Sequence, residues 1–179
     1  MLPSPPLDLS ADRPILLLDI DGVINVFQCA TARETQIAPY LPAIKLLPGL
    51  ADWLARLDRA YALVWCSHWG ALVNIDAAAA WGLGPRPLIE PTPDDPSMPQ
   101  VSAPLRDWKT RAVQRIFADW PGAIAWVEDG FLPEARAWAA ARLAHGRRTW
   151  LVDVSETGLT EEITRYLLEW ADPDGELAR

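Results

Sequence analysis

Two carboxylates, Asp19 and Asp21, stand one residue apart in Leu18-Asp19-Ile20-Asp21-Gly22, directly after the apolar run Ile15-Leu16-Leu17-Leu18. Further on come Ser67 after Val64-Trp65-Cys66, Lys109 after Trp108, and the pair Glu128-Asp129 after Trp126-Val127. Clustered carboxylates repel one another unless a cation holds them together, and an all-oxygen donor set suits magnesium. A phosphoryl group also repels an anionic nucleophile, so the same cation would help an attack on phosphorus. Asp19 can then attack and form an aspartyl-phosphate. Asp21 can give a proton to the leaving oxygen and later take one from the attacking water. Ser67 and Lys109 can hold the nonbridging phosphate oxygens, Ser67 by hydrogen bond and Lys109 by charge. Glu128 and Asp129 can complete the metal shell.

Each residue has a plainer account when taken alone. An Asp-x-Asp pair after a strand is often a turn or a helix cap. Ser67 can cap a helix beginning near Trp69, Lys109 can be a solvated helix residue, and Glu-Asp-Gly is a common turn. The weight lies in their order, with every group at a strand end or a helix start. His68 follows Ser67 and can either contact substrate phosphate or merely pack. His145, before Gly146 at a helix end, reads as structural, since a cation is favoured there. Arg106 and Arg111 flank Lys109 on what reads as a solvated helix face. Asn25 can order the loop behind the aspartate pair. Cys66 within a strand and Cys29 in a loop read as inert.

The elements that must position these groups alternate. Ile15 to Leu18 is a short continuous apolar run, the pattern of a strand buried on both faces. Pro48-Gly49 precedes a helix of about ten residues with Leu47, Leu50, Leu54 and Leu57 on its inner face. Tyr61 to Cys66 is a second strand, and Trp69 to Ala80 reads as a helix closed by Gly82. Residues 84–104 hold seven prolines and read as a long loop crossed by a short strand near Leu88-Ile89. Leu105, Trp108, Ala112, Val113, Ile116 and Phe117 form one helical stripe. Ala123 to Val127 is a strand, Pro133 to Ala144 an Ala-rich helix, and Thr149 to Val152 a strand. Thr160 can cap a last helix whose apolar face is Ile163, Tyr166, Leu167 and Trp170. Strand–helix alternation predicts a three-layer, Rossmann-like α/β fold with a parallel sheet. In such sheets ligands bind outside the carboxyl ends of the strands. Residues 1–13 read as a loose N-terminal arm, 14–172 as one catalytic domain and 173–179 as a C-terminal tail.

Half of the 179 residues are apolar, enough for one sizeable core. Sixteen Lys and Arg face 24 Asp and Glu, a net charge of −8. Such a surface is repelled by polyphosphate and anionic lipid, which argues against extended nucleic-acid backbone binding and against a membrane partner. No apolar stretch reaches the roughly 18–20 residues that span a bilayer, and neither cysteine sits in a zinc-like cluster. A reduced, cytoplasmic protein is expected. The ten tryptophans read as core and pocket-rim packing rather than as a base-stacking platform. The sequence leaves the oligomeric state open.

The motifs resemble those of the haloacid dehalogenase superfamily of phosphatases. Leu17-Leu18-Asp19-Ile20-Asp21-Gly22-Val23-Ile24-Asn25 looks like its first motif, and Val64-Trp65-Cys66-Ser67 like its second. Trp108-Lys109-Thr110 and Trp126-Val127-Glu128-Asp129 are similar to its third and fourth. The tryptophan-rich texture at Val64-Trp65, Trp108-Lys109-Thr110 and Trp138-Ala139-Ala140-Ala141-Arg142 resembles the phosphatase-like domain of bacterial multi-module RNA repair proteins. The resemblance implies Mg2+ as cofactor, Asp19 as nucleophile and metal ligand, and Asp21 as acid/base with its main-chain carbonyl on the metal. Ser67, His68 and Lys109 would bind phosphate, and Glu128 and Asp129 would be the distal metal carboxylates. Glu stands where Asp is commoner, which leaves open which of the two binds metal directly. The family's "squiggle and flap" falls on Val23 to Tyr40. Short spacings after the first two motifs predict no large cap domain, so an open site would admit a phosphorylated small molecule or a nucleic-acid end. A receiver domain is disfavoured by motif order, and metal-free dehalogenase chemistry by Asp21. A catalytically silent module on the same fold is the remaining alternative.

Overall fold

The computed structural model describes residues 4–9, 13–27, 29–91 and 107–172. The expected contacts of Leu105 and Arg106, and the expected tail from 173, lie outside them. Among the described residues the elements are, in order, β1 (Ile15–Leu18), β2 (Arg33–Thr35), β3 (Ile44–Leu46), α1 (Leu50–Ala60), β4 (Ala62–Cys66), α2 (Ala78–Ala80), β5 (Leu88–Ile89), α3 (Asp107–Ile116), β6 (Ile124–Glu128), α4 (Pro133–Ala144), β7 (Thr149–Asp153) and α5 (Glu161–Ala171). Five strands make one sheet in the order β5-β4-β1-β6-β7, and every pairing is parallel. This is the α/β sheet that the alternation predicts, with β1 at its centre. The strand order reverses beside β1, which opens a crevice at the carboxyl ends of β1 and β6.

Side chains alternate across the strands, so each face of the sheet gathers its own core. Leu16, Leu18, Leu63, Trp65, Ala125 and Val127 meet Leu50, Leu54 and Leu57 of α1 and Leu167 of α5. Ile15, Leu17, Val64, Cys66, Ile124 and Trp126 meet Trp108, Ala112 and Val113 of α3 and Ala135 of α4. Each fully buried side chain of this size contributes about 1.5–3 kcal/mol. Trp65, Trp81, Trp108 and Trp126 are fully buried and none of the other six is classed as exposed, so the tryptophans pack the cores.

Four expectations change in detail. The Trp69–Ala80 segment is not one α-helix: a π-helical turn over Val73–Ala77 leads into α2. The wider turn lets Val73, Asn74 and Ala77 all face inward. Asn74 then joins three segments, accepting from Trp65 Nε1 at 3.2 Å and from Arg86 N at 2.9 Å, and donating to Arg86 O at 2.8 Å. Leu47 precedes α1 rather than lying on its inner face. Tyr166 is exposed on α5, where Thr164 takes the inward position. Residues 4–9 of the expected arm lie on the domain: Leu7 and Leu9 pack against the second core and Ser4 Oγ accepts from Asn74 at 2.9 Å. Thr160 caps α5 as expected, accepting from Ile163 N. The segment expected as the flap holds β2, which pairs antiparallel with β3, a strand that begins at Ile44, beyond Tyr40.

Arg142 ties the second helical layer together. It is 4% exposed and donates to Thr149 Oγ1 and to the carbonyls of Phe117, Trp120 and Gly122 at 2.8–3.2 Å. These carbonyls follow α3, where orphan acceptors favour a cation. Burial lowers the guanidinium pKa without discharging it. Arg142→Met should therefore lower the unfolding free energy by about 3 kcal/mol, from stranded carbonyls and lost charge-assisted bonds. Urea denaturation followed by circular dichroism checks this; a loss below about 1 kcal/mol contradicts it.

Candidate active site

β1 and β6 end side by side because Leu18 pairs with Val127. The next residues, Asp19 and Glu128, are therefore brought level at the carboxyl edge of the sheet. Both are buried, at 5% and 6% exposure, where two carboxylates repel strongly. Lys109, from the first turn of α3, lies between them. Its Nζ is 2.8 Å from Asp19 Oδ2 and 2.9 Å from both Glu128 oxygens. Burial alone would lower the ammonium's pKa, but the charges of Asp19 and then Glu128 outweigh it and the net direction is upward. For Glu128, burial pushes the carboxyl up and Asp19 adds to it, against the pull of Lys109, and the net direction is also upward. One ammonium thus faces two carboxylates and stays charged, while the pair keeps a net demand for further positive charge.

Asp129 follows Glu128 and turns toward the loop after β1. Gly22 permits that approach. Its φ of 77° lies in the left-handed region, and a Cβ there would come within 2.5 Å of Asp129 Cβ and Oδ2. Carboxylate oxygens of Asp19, Glu128 and Asp129 lie within 4.8 Å of one another. Trans oxygens around magnesium are about 4 Å apart, so this donor set fits a hard divalent cation after small adjustments. Lys109 occupies one direction on each Glu128 oxygen, and a carboxylate oxygen has a second.

Asp21 is held differently. Its Oδ1 accepts from Asn25 Nδ2 at 2.8 Å and its Oδ2 from Trp69 Nε1 at 3.0 Å. Asn25 is fixed in turn, because its Oδ1 accepts from Lys45 N at 2.9 Å. A tight turn beneath brings the amides of Ile24 and Asn25 to the Ile20 carbonyl, both at 2.8 Å. The expectation that Asn25 orders this loop is met.

A cavity of about 210 Å³ opens above the cluster, lined by Asp19, Asp21, His68, Lys109, Glu128 and Asp129 together with Thr110, Trp126 and Phe131. Six of the seven residues singled out in the sequence meet there. The seventh, Ser67, is buried at the end of β4, does not line the cavity, and accepts the Trp69 main-chain N–H at 3.4 Å. His68 is exposed and stands edge-on to Trp108. Trp108 Nε1 donates to its Nε2 at 2.6 Å. An indole N–H can only donate, so the imidazole is fixed with its proton on Nδ1. Thr110 and Phe131 were absent from the expected set, although Thr110 adjoins Lys109 and Phe131 lies two residues after Asp129. Trp69 was missed too, and nothing in the sequence separates an indole that binds a carboxylate from one that packs. His145 Nδ1 donates to Ala141 O at 2.7 Å, the structural role expected. Burial raises the Cys66 thiol pKa and so suppresses the reactive thiolate.

No family model matches the chain, and neither a curated protein nor a solved structure is significantly similar to it. Among the described residues, no helix is long and apolar enough to cross a membrane.

Replacing Lys109 by Met leaves Asp19 and Glu128 facing each other without a counter-charge. Breaking a buried ion pair from one side costs about 3–5 kcal/mol. Unfolding in chelator should show a loss of that size, and excess magnesium should recover part of it by taking the place of the ammonium. The midpoint in urea with and without magnesium measures this. Absence of any magnesium response in both the unaltered and the substituted protein would contradict a cation site at these carboxylates.

Proposed function

We propose that this protein is a magnesium-dependent phosphoric monoester hydrolase of the haloacid dehalogenase type, acting through a phosphoryl group carried on Asp19. One observation carries the reading: a buried carboxylate at the end of the central strand shares a lysine with a second carboxylate and adjoins a third, beside a separately anchored Asp21. Ion-pair networks that serve stability alone do not need an open cavity or an acid standing apart from the network.

Asp19, Asp129 and Glu128 would hold the cation through their carboxylates, with the main-chain carbonyl of Asp21. Bound there, magnesium would supply the positive charge that lets an anionic ester approach this acidic edge. A carboxylate oxygen of Asp19 attacks phosphorus as the bond from phosphorus to the ester oxygen breaks. Asp21, entering as the carboxylic acid, passes its proton to that departing oxygen. Asp21, now a carboxylate, takes a proton from water as the water oxygen attacks phosphorus. The bond from Asp19 to phosphorus breaks, releasing phosphate and restoring both aspartates. Lys109 neutralises the nonbridging oxygens and holds Asp19 in line. His68, whose Nε2 accepts from Trp108, lines the cavity in which the phosphate would sit. Ser67 keeps the Trp69 turn in place.

The net charge of −8 disfavours substrates that present a long run of phosphates. A small phosphate ester or a single nucleic-acid end fits the cavity. A panel of sugar phosphates, nucleotides and 3′- and 5′-phosphorylated oligonucleotides, assayed for phosphate with and without magnesium, should show turnover that requires the metal. Asp19→Asn should remove at least about 10³-fold of it while leaving the circular dichroism spectrum unchanged. Retention of magnesium-dependent release by that variant contradicts the mechanism. Absence of release by the unaltered protein across the panel favours a catalytically silent binding module.

A further inference from the structure

Asp21 is gripped at both oxygens by donors from two different loops. Asn25 reaches Oδ1 from the turn after β1, and Trp69 reaches Oδ2 from the turn after β4. Two donors on opposite oxygens fix both the position and the plane of a carboxylate, which a single bond leaves free to rotate. The Trp69 ring is itself seated: it packs against the first core, and its main-chain N–H is held by Ser67 Oγ. Ser67 is buried directly after β4. A chain of contacts therefore runs from β4 through Ser67 and Trp69 to Asp21. Trp69 does not line the cavity, so substrate contact does not account for its placement. A ring that served packing alone would have no reason to aim its N–H at this one carboxylate.

We infer that Trp69 is a positioning residue for proton delivery: by holding Asp21 Oδ2 it aims the remaining lone-pair direction of that carboxyl at the departing ester oxygen. The inference rests on the phosphatase reading and sharpens it. Its consequence depends on the leaving group. An alkoxide is too basic to depart without a proton, so esters of ordinary alcohols need a well-aimed acid. A nitrophenolate departs unaided, and kcat/KM for its ester, which ends at the first irreversible step and so leaves out the later water attack that also uses Asp21, reports only on attack by Asp19. In the step that expels the leaving group, Trp69 thus matters for alkyl phosphates, the class with poor leaving groups, and hardly at all for activated aryl phosphates. The same logic separates aim from architecture, since general damage to the site slows both classes alike.

The test is Trp69→Phe, which keeps an aromatic ring and removes the donor, assayed with magnesium on an alkyl phosphate and on p-nitrophenyl phosphate. Misplaced acid catalysis costs on the order of 10²-fold. The alkyl kcat/KM should fall by about 30- to 100-fold, and the aryl kcat/KM, which leaves out the shared hydrolysis of phosphorylated Asp19, by less than about threefold. A parallel fall on both esters in protein with an unchanged circular dichroism spectrum overturns the inference, as does no fall on either. Trp69→Gln provides the second arm, because its amide restores an N–H donor without the ring. It should recover the alkyl rate to within about tenfold of the unaltered protein, and a loss as selective and deep as that of Trp69→Phe would contradict the role of the hydrogen bond. Should Trp69→Phe not fold, the ratio of alkyl to aryl rates in Trp69→Gln decides: a ratio near that of the unaltered protein supports the inference and a collapsed ratio overturns it. If the unaltered protein releases phosphate from neither ester, the phosphatase reading fails rather than this one.

Discussion

Three side chains from three elements share one proton-rich nitrogen at the centre of this molecule. Lys109 Nζ lies 2.8–2.9 Å from carboxylate oxygens of Asp19 and Glu128. Burying these carboxylates at the sheet edge without it would cost several kcal/mol. The pairing of β1 with β6 brings the two acids level, and α3 must deliver the lysine to the same point. The second core, where Trp108, Ala112 and Val113 meet Trp126 and Leu17, fixes α3 against the sheet and so sets where Lys109 reaches. Hydrophobic packing thus determines electrostatic geometry, and one ammonium against two acids leaves the site short of positive charge.

Around this centre the loops are held by contacts that leave little slack. Gly22 has no Cβ because Asp129 occupies that space. Gly158, in the loop after β7, meets the same turn, and a Cβ there would come within 2.1 Å of Val26 Cγ1. Its neighbour Leu159 donates to the Val23 carbonyl at 2.8 Å. The turn carrying Asp21 is therefore packed from the β6 loop, the β7 loop and the Trp69 segment together. Such support is what precise placement of a reacting group demands.

Much of this was legible in the chain itself, for identifiable reasons. Buried parallel strands show as continuous apolar runs, so Ile15–Leu18 and Ile124–Val127 announced the sheet, and the acids at their ends announced its functional edge. Pro48-Gly49 marked the start of α1, and Pro133 and Gly146 the start and stop of α4. What escaped depended on three-dimensional partners. Asn74 favours a π-helical turn because its amide has Trp65 and Arg86 to satisfy, and no periodicity encodes that. Tyr166 looked like part of an apolar stripe, yet its hydroxyl donates to Glu162 at 3.1 Å and its ring lies under Arg165, which suits the surface. Trp69 and Trp108 were legible as aromatic bulk, whereas their N–H groups acquire meaning only beside Asp21 and His68. Ser67 stood in the motif as a phosphate ligand, and its visible bond is to the Trp69 turn.

The central claim is chemical: Asp19 carries the phosphoryl group. It is tested most directly by rapid acid quench of the protein during magnesium-dependent turnover of a ³²P-labelled ester, followed by digestion and peptide mapping. The account predicts alkali-labile label on the peptide that contains Asp19, appearing and decaying at rates that match phosphate release. Turnover with no protein-bound label at any quench time, or with label on a different residue, would contradict it.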